Sequence, residues 1–244
     1  MQLSVIIPAY NEDRRLPGTL ASVYRYLHQS EISFEIIVVD DGSYDNTAAF
    51  VEDFARQYPG VRLISYAANR GKGFAVRTGM LAALGDYLLM NDADGSSPIE
   101  EVQRLLSCAH EGYEVVFGSR AKADDSAVVK SLLHRKFIGN SFNFIVQTLI
   151  LPGIKDTQCG FKLFSRAAGH DIFSVAKQNG YAFDVEALYI ARIRGYKINE
   201  VAISWANVEG SKVNVLVDSP RMLFEVLSIT CGAWLGRYKR LTKA

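Results

Sequence analysis

The first 118 residues alternate short, β-branched apolar segments with longer segments of helical period, and this alternation limits the possible folds more than any other feature. The short segments are predicted strands at residues 3–7, 35–39, 62–66, 87–91 and 114–118. The longer segments are predicted helices at residues 12–28, 45–58, 73–84 and 98–111. Strands that alternate with helices are typical of βαβ units. We therefore predict an α/β fold, in which a mainly parallel central sheet is flanked by helices.

The second half of the chain loses this rhythm from about residue 121. Along it we expect, in order, a polar loop at 121–129, an apolar helix at 132–151, a turn-rich stretch at 152–161, helices at 165–178 and 183–194, and a strand at 200–204. The chain ends in an apolar segment and a basic tail. We predict one folded unit, with its main domain over residues 1–212 and an amphipathic, basic-ended segment over 213–244.

The charge balance and the cysteines restrict the partners and the compartment. Lys and Arg number 27 against 26 Asp and Glu, so no overall field attracts nucleic acid, and we expect no such partner. The 3 cysteines lack the short spacing of a zinc or redox site, which favours a reducing, cytoplasmic compartment. The apolar run that begins at residue 3 has no basic region before it, so we expect no cleaved signal peptide.

Acidic residues follow three of the predicted strands. Glu12 lies after the first, Asp40 and Asp41 after the second, and Asp92 and Asp94 after the fourth. The carboxyl ends of parallel strands form the edge where α/β sheets bind ligands, so we expect these acids to meet there. Clustered carboxylates are costly unless cations or donors face them, which favours Mg²⁺ or Mn²⁺ bound with a diphosphate. The alternative, acids that only cap helices, explains some of them but not an Asp-x-Asp directly after an apolar strand.

Two common nucleotide-binding motifs are missing from the sequence. No G-x-G-x-x-G follows the first strand and no G-x-x-x-x-G-K-[ST] occurs, which disfavours a dinucleotide dehydrogenase and a P-loop NTPase. Instead, the stretch Asn69-Arg70-Gly71-Lys72-Gly73 opens the third helix. Its backbone N–H groups and Lys72 are placed to approach an anionic ligand, although an ordinary glycine-rich turn has the same composition.

The chain's motifs together resemble those of the GT-A inverting glycosyltransferases of family two. Motifs of the whole family are SVIIPAYNE at 4–12, VVDDGS at 38–43, NRGKG at 69–73 and DAD at 92–94. The match continues through GSR at 118–120, DTQCGFKLF at 156–164, FDVE at 183–186 and EGSK at 209–212. The stretches at 156–164 and 209–212 resemble the branch that moves glucose from UDP-glucose to dolichyl or another polyprenyl phosphate. The resemblance implies a Rossmann-like nucleotide-sugar-binding fold and a metal-dependent, inverting glucosyl transfer.

The resemblance also implies roles for individual residues. Asp92 and Asp94 match the residues that hold the metal on the donor diphosphate, and Arg120 and Arg135 match residues that hold the acceptor phosphate. The implied catalytic set is Asp92, Asp94, Arg120 and Asp184. Residues implied to bind the nucleotide-sugar are Pro8, Tyr10, Glu12, Val39, Asp41, Lys72, Asp92, Ala93 and Lys212.

Some positions depart from the family pattern or have a simpler explanation. Ser96 stands where related mannosyltransferases have a metal-binding Gln, and Gly139 replaces a Ser that contacts phosphate. Asp184 and Glu186 are candidates for contact with sugar hydroxyls or for a general base. Acids in the first turn of a helix are also favoured by the helix dipole alone, which explains both residues equally well.

Other functions remain open at this point. The motifs around Asp92 are equally those of a polyprenyl-phosphate mannosyltransferase that uses GDP-mannose. A family-two enzyme with a soluble acceptor and a non-catalytic nucleotide-sugar-binding module are further alternatives. A Q-x-x-R-W motif is missing, which speaks against a processive polysaccharide synthase. A nucleotidyltransferase would need a glycine-rich basic motif after the first strand, and residues 8–12 are not one.

Two apolar stretches suggest contact with a membrane surface. Residues 137–151 and 222–236 are 15 residues long, short of the about 20 that span a bilayer, and basic residues flank both. An apolar face flanked by Lys and Arg suits the interface of anionic lipids. We therefore predict a cytoplasmic protein held peripherally on the cytoplasmic face of a membrane. The alternatives are helices packed in the core, or an interface between copies of the chain in a homo-oligomer.

Overall fold

The computed structural model describes residues 1–122, 129–130, 146, 150–208 and 215–238. The predicted α/β alternation of the first half is confirmed, with element bounds that shift by a few residues. The strands are β1 (Leu3–Ala9), β2 (Phe34–Asp40), β3 (Val61–Ser65), β4 (Tyr87–Asn91) and β5 (Val115–Ser119). The helices are α1 (Leu16–Gln29), α2 (Thr47–Gln57), α3 (Lys72–Ala82) and α4 (Val102–His110), and a 3₁₀ turn (Ile99–Glu101) precedes α4.

Helix α1 begins four residues later than the sequence predicts. Pro17 stands in its first turn, where its fixed φ and its missing N–H are tolerated. The residues before it turn at Asn11, whose φ is 51°. Glu12 consequently lies in the turn after β1 rather than on a helix.

The described residues of the second half add four strands and three helices. The strands are β6 (Val129–Lys130), β7 (Phe161–Ser165), β8 (Ile198–Ala202) and β9 (Trp205–Ala206). The helices are α5 (Arg166–Val175), α6 (Phe183–Ile193) and α7 (Val215–Trp234). Within the described ranges seven strands form one sheet of order β3-β2-β1-β4-β7-β5-β8, and β6 pairs with β9 in a separate parallel pair.

Strand β7 corrects the sequence prediction, which ended a turn-rich stretch at residue 161 and began a helix at 165. It pairs antiparallel with both β4 and β5 in the middle of the sheet. Phe161 and Leu163 pack on one face of the sheet and Phe164 on the other, the period of two that a strand requires. Strand β8 lies two residues before the predicted strand and is parallel to β5.

Each face of the sheet is covered by its own set of helices, because successive strand residues alternate between two cores. Val5 and Ile7 of β1 pack with α1, α2 and α4, whereas Ile6 packs with α3, α5 and α6. This burial on both faces explains why the parallel strands are apolar at nearly every position. The expected fold, a mainly parallel sheet flanked by helices, is confirmed.

Helix α7 lies in the C-terminal segment that we predicted to be amphipathic, and its two sides differ in what they contact. Met222 and Val226 pack into the core beneath α3, α5 and α6, while Phe224, Leu227 and Trp234 are exposed on the opposite side. Apolar residues therefore occupy both sides of this helix. In the described part of the chain, none of the helices combines the length and apolar character that crossing a bilayer requires.

The predicted helix at 132–151 falls mainly outside the described residues. Three of its positions are described, namely Val146, Ile150 and Leu151, and all three are buried in the core on the α3 side. These three positions fit the alternative of a core segment rather than a surface one.

Candidate active site

The loops after β1, β2 and β4 carry the predicted acids, and the structure gives several of them a separate partner. Glu12 pairs with Arg15, whose Nε lies 2.7 Å from Oε2. Asp40 accepts two long hydrogen bonds from the backbone N–H of Ser43, each 3.3 Å. Arg15 also reaches toward Asp94, with 3.9 Å between Nη1 and Oδ2. The acids reach one edge of the sheet, as predicted, but they do not form one carboxylate cluster.

Asp41 organises the turn that leads into α3. Its Oδ1 accepts from the backbone N–H of Arg70 at 2.9 Å, and its Oδ2 accepts from the backbone N–H of Gly71 at 2.8 Å and from the side-chain amide of Asn69 at 2.9 Å. These N–H groups are therefore occupied within the protein. For Arg70 and Gly71 the expected approach to an anionic ligand is not supported, and Lys72 stays the candidate of that turn.

Asp92 is the centre of the site. Lys72 Nζ lies 2.6 Å from its Oδ1, which is buried and outside hydrogen-bond geometry with any described group. Burial lowers the pKa of Lys72, but the charges of Asp92 and Asp184 outweigh it and raise that pKa above its ordinary value. Lys72 is thus a permanent cation beside Asp92.

Gly160, next to strand β7, faces the carboxylate of Asp92 directly. A Cβ built on Gly160 would overlap both carboxylate oxygens and the carboxyl carbon of Asp92. The glycine therefore makes room for the Asp92 side chain. This contact gives a physical reason for the glycine in the stretch at 156–164.

Asp94 is half-buried, as Asp92 is, and its geometry is fixed locally. Its Oδ1 accepts from the backbone N–H of Ser96 at 3.0 Å. Thr19 on α1 donates to the carbonyl oxygen of Ala93 at 2.9 Å, which holds the loop between the two aspartates against α1. Ser96 itself is buried.

A buried ion pair lies beneath these residues. Lys162, in the middle of β7, is fully buried, and its Nζ lies 2.6 Å from Oδ1 of Asp184 in the first turn of α6. Burial raises the pKa of Asp184, and the opposing charges of Lys162 and Lys72 counteract that rise. Asp184 is thereby fixed by Lys162, a contact that a purely favourable interaction with the helix dipole would not require.

Arg120 and Asp156 form the second ion pair of the site. Asp156 accepts from Nε and Nη2 of Arg120 at 2.7 and 2.8 Å, and from its backbone N–H at 2.9 Å. The carboxylate of Glu200 in turn accepts from the backbone N–H of Asp156 at 2.8 Å. The guanidinium carbon lies 5.3 Å from the ring centroid of Trp205. Arg120 is therefore held rigidly on one side of its planar fork.

The pKa shifts of this pair favour the charged form of both Arg120 and Asp156. Burial lowers the pKa of Arg120, but Asp156 raises it above its ordinary value, and Asp92 adds to the rise. Burial raises the pKa of Asp156, but Arg120 outweighs burial and lowers it. Asp92 therefore lies within electrostatic reach of two cations, Lys72 and Arg120.

The other predicted nucleotide-sugar residues differ in how deeply they are buried. Tyr10 is half-buried and packs edge-on against Tyr44, with ring centroids 6.2 Å apart. Val39 is fully buried, and its side chain packs in the core. Pro8 and Ala93 are also buried. The predicted residues that lie outside the described part of the chain are Arg135 and Lys212.

The donor atoms at Asp92 and Asp94 suit a divalent metal, although the ranges that the structure describes contain no cluster of three or more potential His, Cys, Asp or Glu ligands. Asp92 Oδ1 is buried with the Lys72 ammonium 2.6 Å away and makes no other hydrogen bond with the described residues, and Asp94 is accessible. Mg²⁺ and related hard cations commonly take one or two carboxylates and fill the other positions with phosphate and water oxygens. The two aspartates fit that pattern.

The contact between Gly160 and Asp92 gives a testable prediction. Gly160→Ala is expected to displace the Asp92 carboxylate, because a side chain moves more easily than the strand beside it. We expect turnover to fall about 10-fold, the lower end of the effect of perturbing a group that orients a metal ligand. Steady-state kinetics together with thermal unfolding measure this. Gly18→Ala is a control at an open position in α1, and equal losses of turnover in both variants would contradict the assignment.

Sequence reasoning missed several residues of the site. Lys162 is one of them: no strand is predicted at 161–165, so nothing in the sequence indicates a buried lysine there or its pairing with Asp184. Arg15 follows Glu12 by three residues, a spacing that also indicates a pair. Nothing in the sequence pattern points to Glu200, because its role depends on β8 lying beside the turn at 155–156.

The strand order and the helices on both faces of the sheet are those of the GT-A fold. The chain belongs to glycosyl transferase family 2, whose family model matches residues 4–173. The family predicted from the motifs is thereby confirmed.

Relatives with this domain include dolichyl-phosphate beta-glucosyltransferases. The chain is 42% identical over 202 residues to the enzyme of Dictyostelium discoideum. The alignment covers 78% of this chain and 62% of the relative. The chain is 38% identical over 204 residues to that of Homo sapiens, covering 78% and 63%. In both, the match spans less than two thirds of the relative. The Saccharomyces cerevisiae protein of the same name is 38% identical over 255 residues, covering 97% of this chain and 76% of the relative.

Solved structures support the fold. The crystal structure of glucosyl-3-phosphoglycerate synthase from Mycobacterium tuberculosis in complex with Mn²⁺, UDP-glucose and phosphoglyceric acid superposes with a TM-score of 0.72. The alignment is 21% identical and covers 95% of this chain and 80% of that protein. At this identity the comparison establishes the shared fold alone.

Proposed function

We propose that this protein transfers glucose from UDP-glucose to the phosphate of dolichol or another polyprenol, with inversion at the anomeric carbon. The observation that carries the proposal is the pair of cations, Lys72 and Arg120, within electrostatic reach of Asp92. A transfer from a nucleoside diphosphate sugar to a phosphate acceptor needs positive charge at both phosphate groups. The similarity to dolichyl-phosphate beta-glucosyltransferases supports glucose and a polyprenyl phosphate over the alternatives.

The acceptor requires little activation. A phosphate monoester has its second pKa near about 6, so at neutral pH much of it is already a dianionic nucleophile. Its oxygen attacks the anomeric carbon, a new C–O bond forms, the bond to the donor diphosphate breaks, and UDP leaves. Attack from the opposite face converts an α-linked donor into a β-linked product. The protein's task is to align the two phosphates and to stabilise the charge on the leaving group.

Each described side chain has a defined part in this scheme. Lys72, a permanent cation, faces the donor diphosphate. Asp184, fixed by Lys162, accepts hydrogen bonds from sugar hydroxyls. Arg120, clamped by Asp156, presents the remaining N–H groups of its fork to the acceptor phosphate. Asp92 and Asp94 would hold a divalent metal, which when bound stabilises negative charge on the diphosphate.

The test is transfer of radiolabelled sugar to lipid. The protein is incubated with UDP-[¹⁴C]glucose or GDP-[¹⁴C]mannose, Mn²⁺, and dolichyl phosphate in detergent, and the organic phase is counted. We expect label in the lipid from UDP-glucose alone. Label from GDP-mannose alone would favour a mannosyltransferase, and transfer only to a water-soluble phosphate would overturn the lipid acceptor.

We further propose that α7 contacts the membrane that contains the acceptor. Its exposed stripe consists of Phe224, Leu227, Cys231 and Trp234, spaced by three or four residues along one side of the helix. The side chains of Phe224 and Trp234 are 74% and 89% exposed. Arg237 is exposed nearby and is suited to anionic headgroups.

This gives a prediction for vesicle binding. Leu227→Glu is expected to weaken binding to anionic vesicles by about 10-fold, because burying a leucine side chain contributes about 1.5–3 kcal/mol and a charge opposes it. Co-sedimentation across a salt series measures the binding. The control is Leu84→Glu, at an exposed leucine after α3. Equal binding of both variants, or no binding of the wild-type protein at low salt, would contradict contact through α7.

A further inference from the structure

The loop at residues 176–182 supports the first turn of α3, where Lys72 stands between two glycines. The backbone N–H of Gly73 donates to the carbonyl oxygen of Asn179 at 2.8 Å. A Cβ on Gly71 would overlap that carbonyl oxygen, and one on Gly73 would overlap that of Gln178. The two segments are thus in direct backbone contact. The position of Lys72 depends on where this loop lies.

A second contact fixes the same loop to the body of α3. Arg77, one and a half turns after Lys72, donates from Nη2 to the side-chain oxygen of Asn179 at 2.9 Å, and from Nη1 to the carbonyl oxygen of Ala176 at 3.2 Å. The loop is therefore linked to α3 through side-chain as well as backbone hydrogen bonds.

Helix α6 holds the first half of the loop through a fully buried carboxylate. Glu186 accepts from the backbone N–H groups of Lys177 and Gln178 at 2.9 and 2.7 Å. It also accepts from the hydroxyl of Tyr238, just beyond α7, at 2.6 Å. Glu186 thus binds both the loop and the end of the chain that the structure describes.

Helix α7 holds the second half of the loop. Glu225 accepts from the backbone N–H of Ala182 at 3.1 Å, and its carboxylate occupies the space that a Cβ on Gly180 would need. The Glu225 side chain is 12% exposed. On its outer side it pairs with Arg221, at 3.4 Å from Nε, and the Arg221 side chain is 72% exposed. Glu225 therefore makes two kinds of contact. The contact with the loop is buried, and the contact with Arg221 faces solvent and does not involve the loop.

We propose that Glu225 is a positioning residue for Lys72, acting through the 176–182 loop. The inference rests on the proposed role of Lys72 at the donor diphosphate. Through Glu225 and the loop, helix α7 is connected to the donor side of the site. The contacts involved do not include Arg120 and Asp156, the pair on the acceptor side. A loss of this contact changes donor binding rather than the reaction as a whole.

The first test separates donor from acceptor effects. Glu225→Ala is expected to raise the KM for UDP-glucose about 10-fold and to leave the KM for dolichyl phosphate within 2-fold, since small misplacements of a charged group have effects of this size. Glu225→Gln retains an oxygen that accepts from Ala182 and should stay near the wild-type value. The matched control is Arg221→Ala, which removes the partner of the same carboxylate without touching the loop. Equal rises in both KM values would overturn the proposal.

A double-mutant cycle tests whether Glu225 acts through Lys72. On a Lys72→Ala background, Glu225→Ala should have no further effect on donor affinity, measured as UDP binding by calorimetry. Additive effects would overturn the proposal, because they would mean that Glu225 acts by another route.

Amide hydrogen exchange gives a measurement that needs no substrate. The amide of Gly73 donates to Asn179 and reports the contact between the loop and α3 directly. In Glu225→Ala this amide should exchange at least about 10-fold faster, whereas Glu225→Gln and Arg221→Ala should match the wild-type protein. Unchanged exchange would overturn the positioning role even in an active enzyme. Changed exchange in a protein that does not use UDP-glucose would instead overturn the proposed function.

Discussion

Asp92→Asn is expected to lower turnover by about 10³-fold while the fold persists. Asparagine has the shape of aspartate, so the packing on Gly160 is retained, but the charge that Lys72 faces and that a metal would need is lost. A bound metal supplies several kcal/mol of charge stabilisation to the leaving diphosphate, and about 4 kcal/mol corresponds to a 10³-fold change in rate.

The measurement is the turnover number for UDP-glucose and dolichyl phosphate, with thermal unfolding to confirm the fold. Asp53→Asn, at an exposed acid paired with Arg56 on α2, is the matched control and should behave as the wild-type protein. The wild-type rate should fall in excess chelator, and the residual rate of Asp92→Asn should not respond to it. A variant with wild-type turnover, or a wild-type enzyme indifferent to chelator, would contradict the role of Asp92.

The sequence predicts the N-terminal half of the fold well because periodicity there is a direct consequence of burial. Residues of β1 and β2 are apolar at nearly every position since both faces of the sheet are covered by helices, and the acids follow where the strands reach the open edge. These features are local. They are therefore sufficient to identify the edge of the sheet that carries the site.

The same reasoning fails for β7 because its determinants are not local. Five residues with a lysine at the second position are too few and too polar to predict a central strand. In the fold, Lys162 is tolerated there because Asp184, 22 residues away in sequence, supplies the compensating charge. The antiparallel placement of β7 between β4 and β5 leaves no pattern of apolar and polar residues in the sequence that would predict it.

The partners of the site residues were also beyond prediction from the sequence. Asp41 was identified as a nucleoside-binding residue from its motif, yet its carboxylate accepts from the turn at 69–71, which depends on how β2 and the start of α3 are placed. Its contact with a nucleoside remains a prediction. The link from Glu225 to Ala182 spans 43 residues and is visible only in the folded chain.

Arg120 is the residue on which use of the acceptor should depend most. Asp156 occupies Nε and one N–H of Nη2, so the rest of the rigid fork is oriented toward the site by a buried carboxylate. Lysine retains the charge but presents a single flexible donor group, which cannot both pair with Asp156 and chelate a phosphate. Arg120→Lys is therefore expected to lower kcat/KM for dolichyl phosphate by about 100-fold, which corresponds to losing one or two charge-assisted hydrogen bonds.

The choice of lysine matters, because Arg120→Ala would leave the Asp156 carboxylate buried without a cation, a change that costs about 3–5 kcal/mol of folding free energy. Loss of activity in that variant would then report unfolding as much as function. Arg62→Lys is the matched control. Arg62, at the start of β3, also pairs with a buried carboxylate, that of Glu35. UDP affinity, measured by calorimetry, should stay within 2-fold in Arg120→Lys. Loss of UDP binding equal to the loss of acceptor use would place Arg120 on the donor side instead, and would leave the acceptor phosphate to be held by residues such as Arg135, as the family resemblance implies.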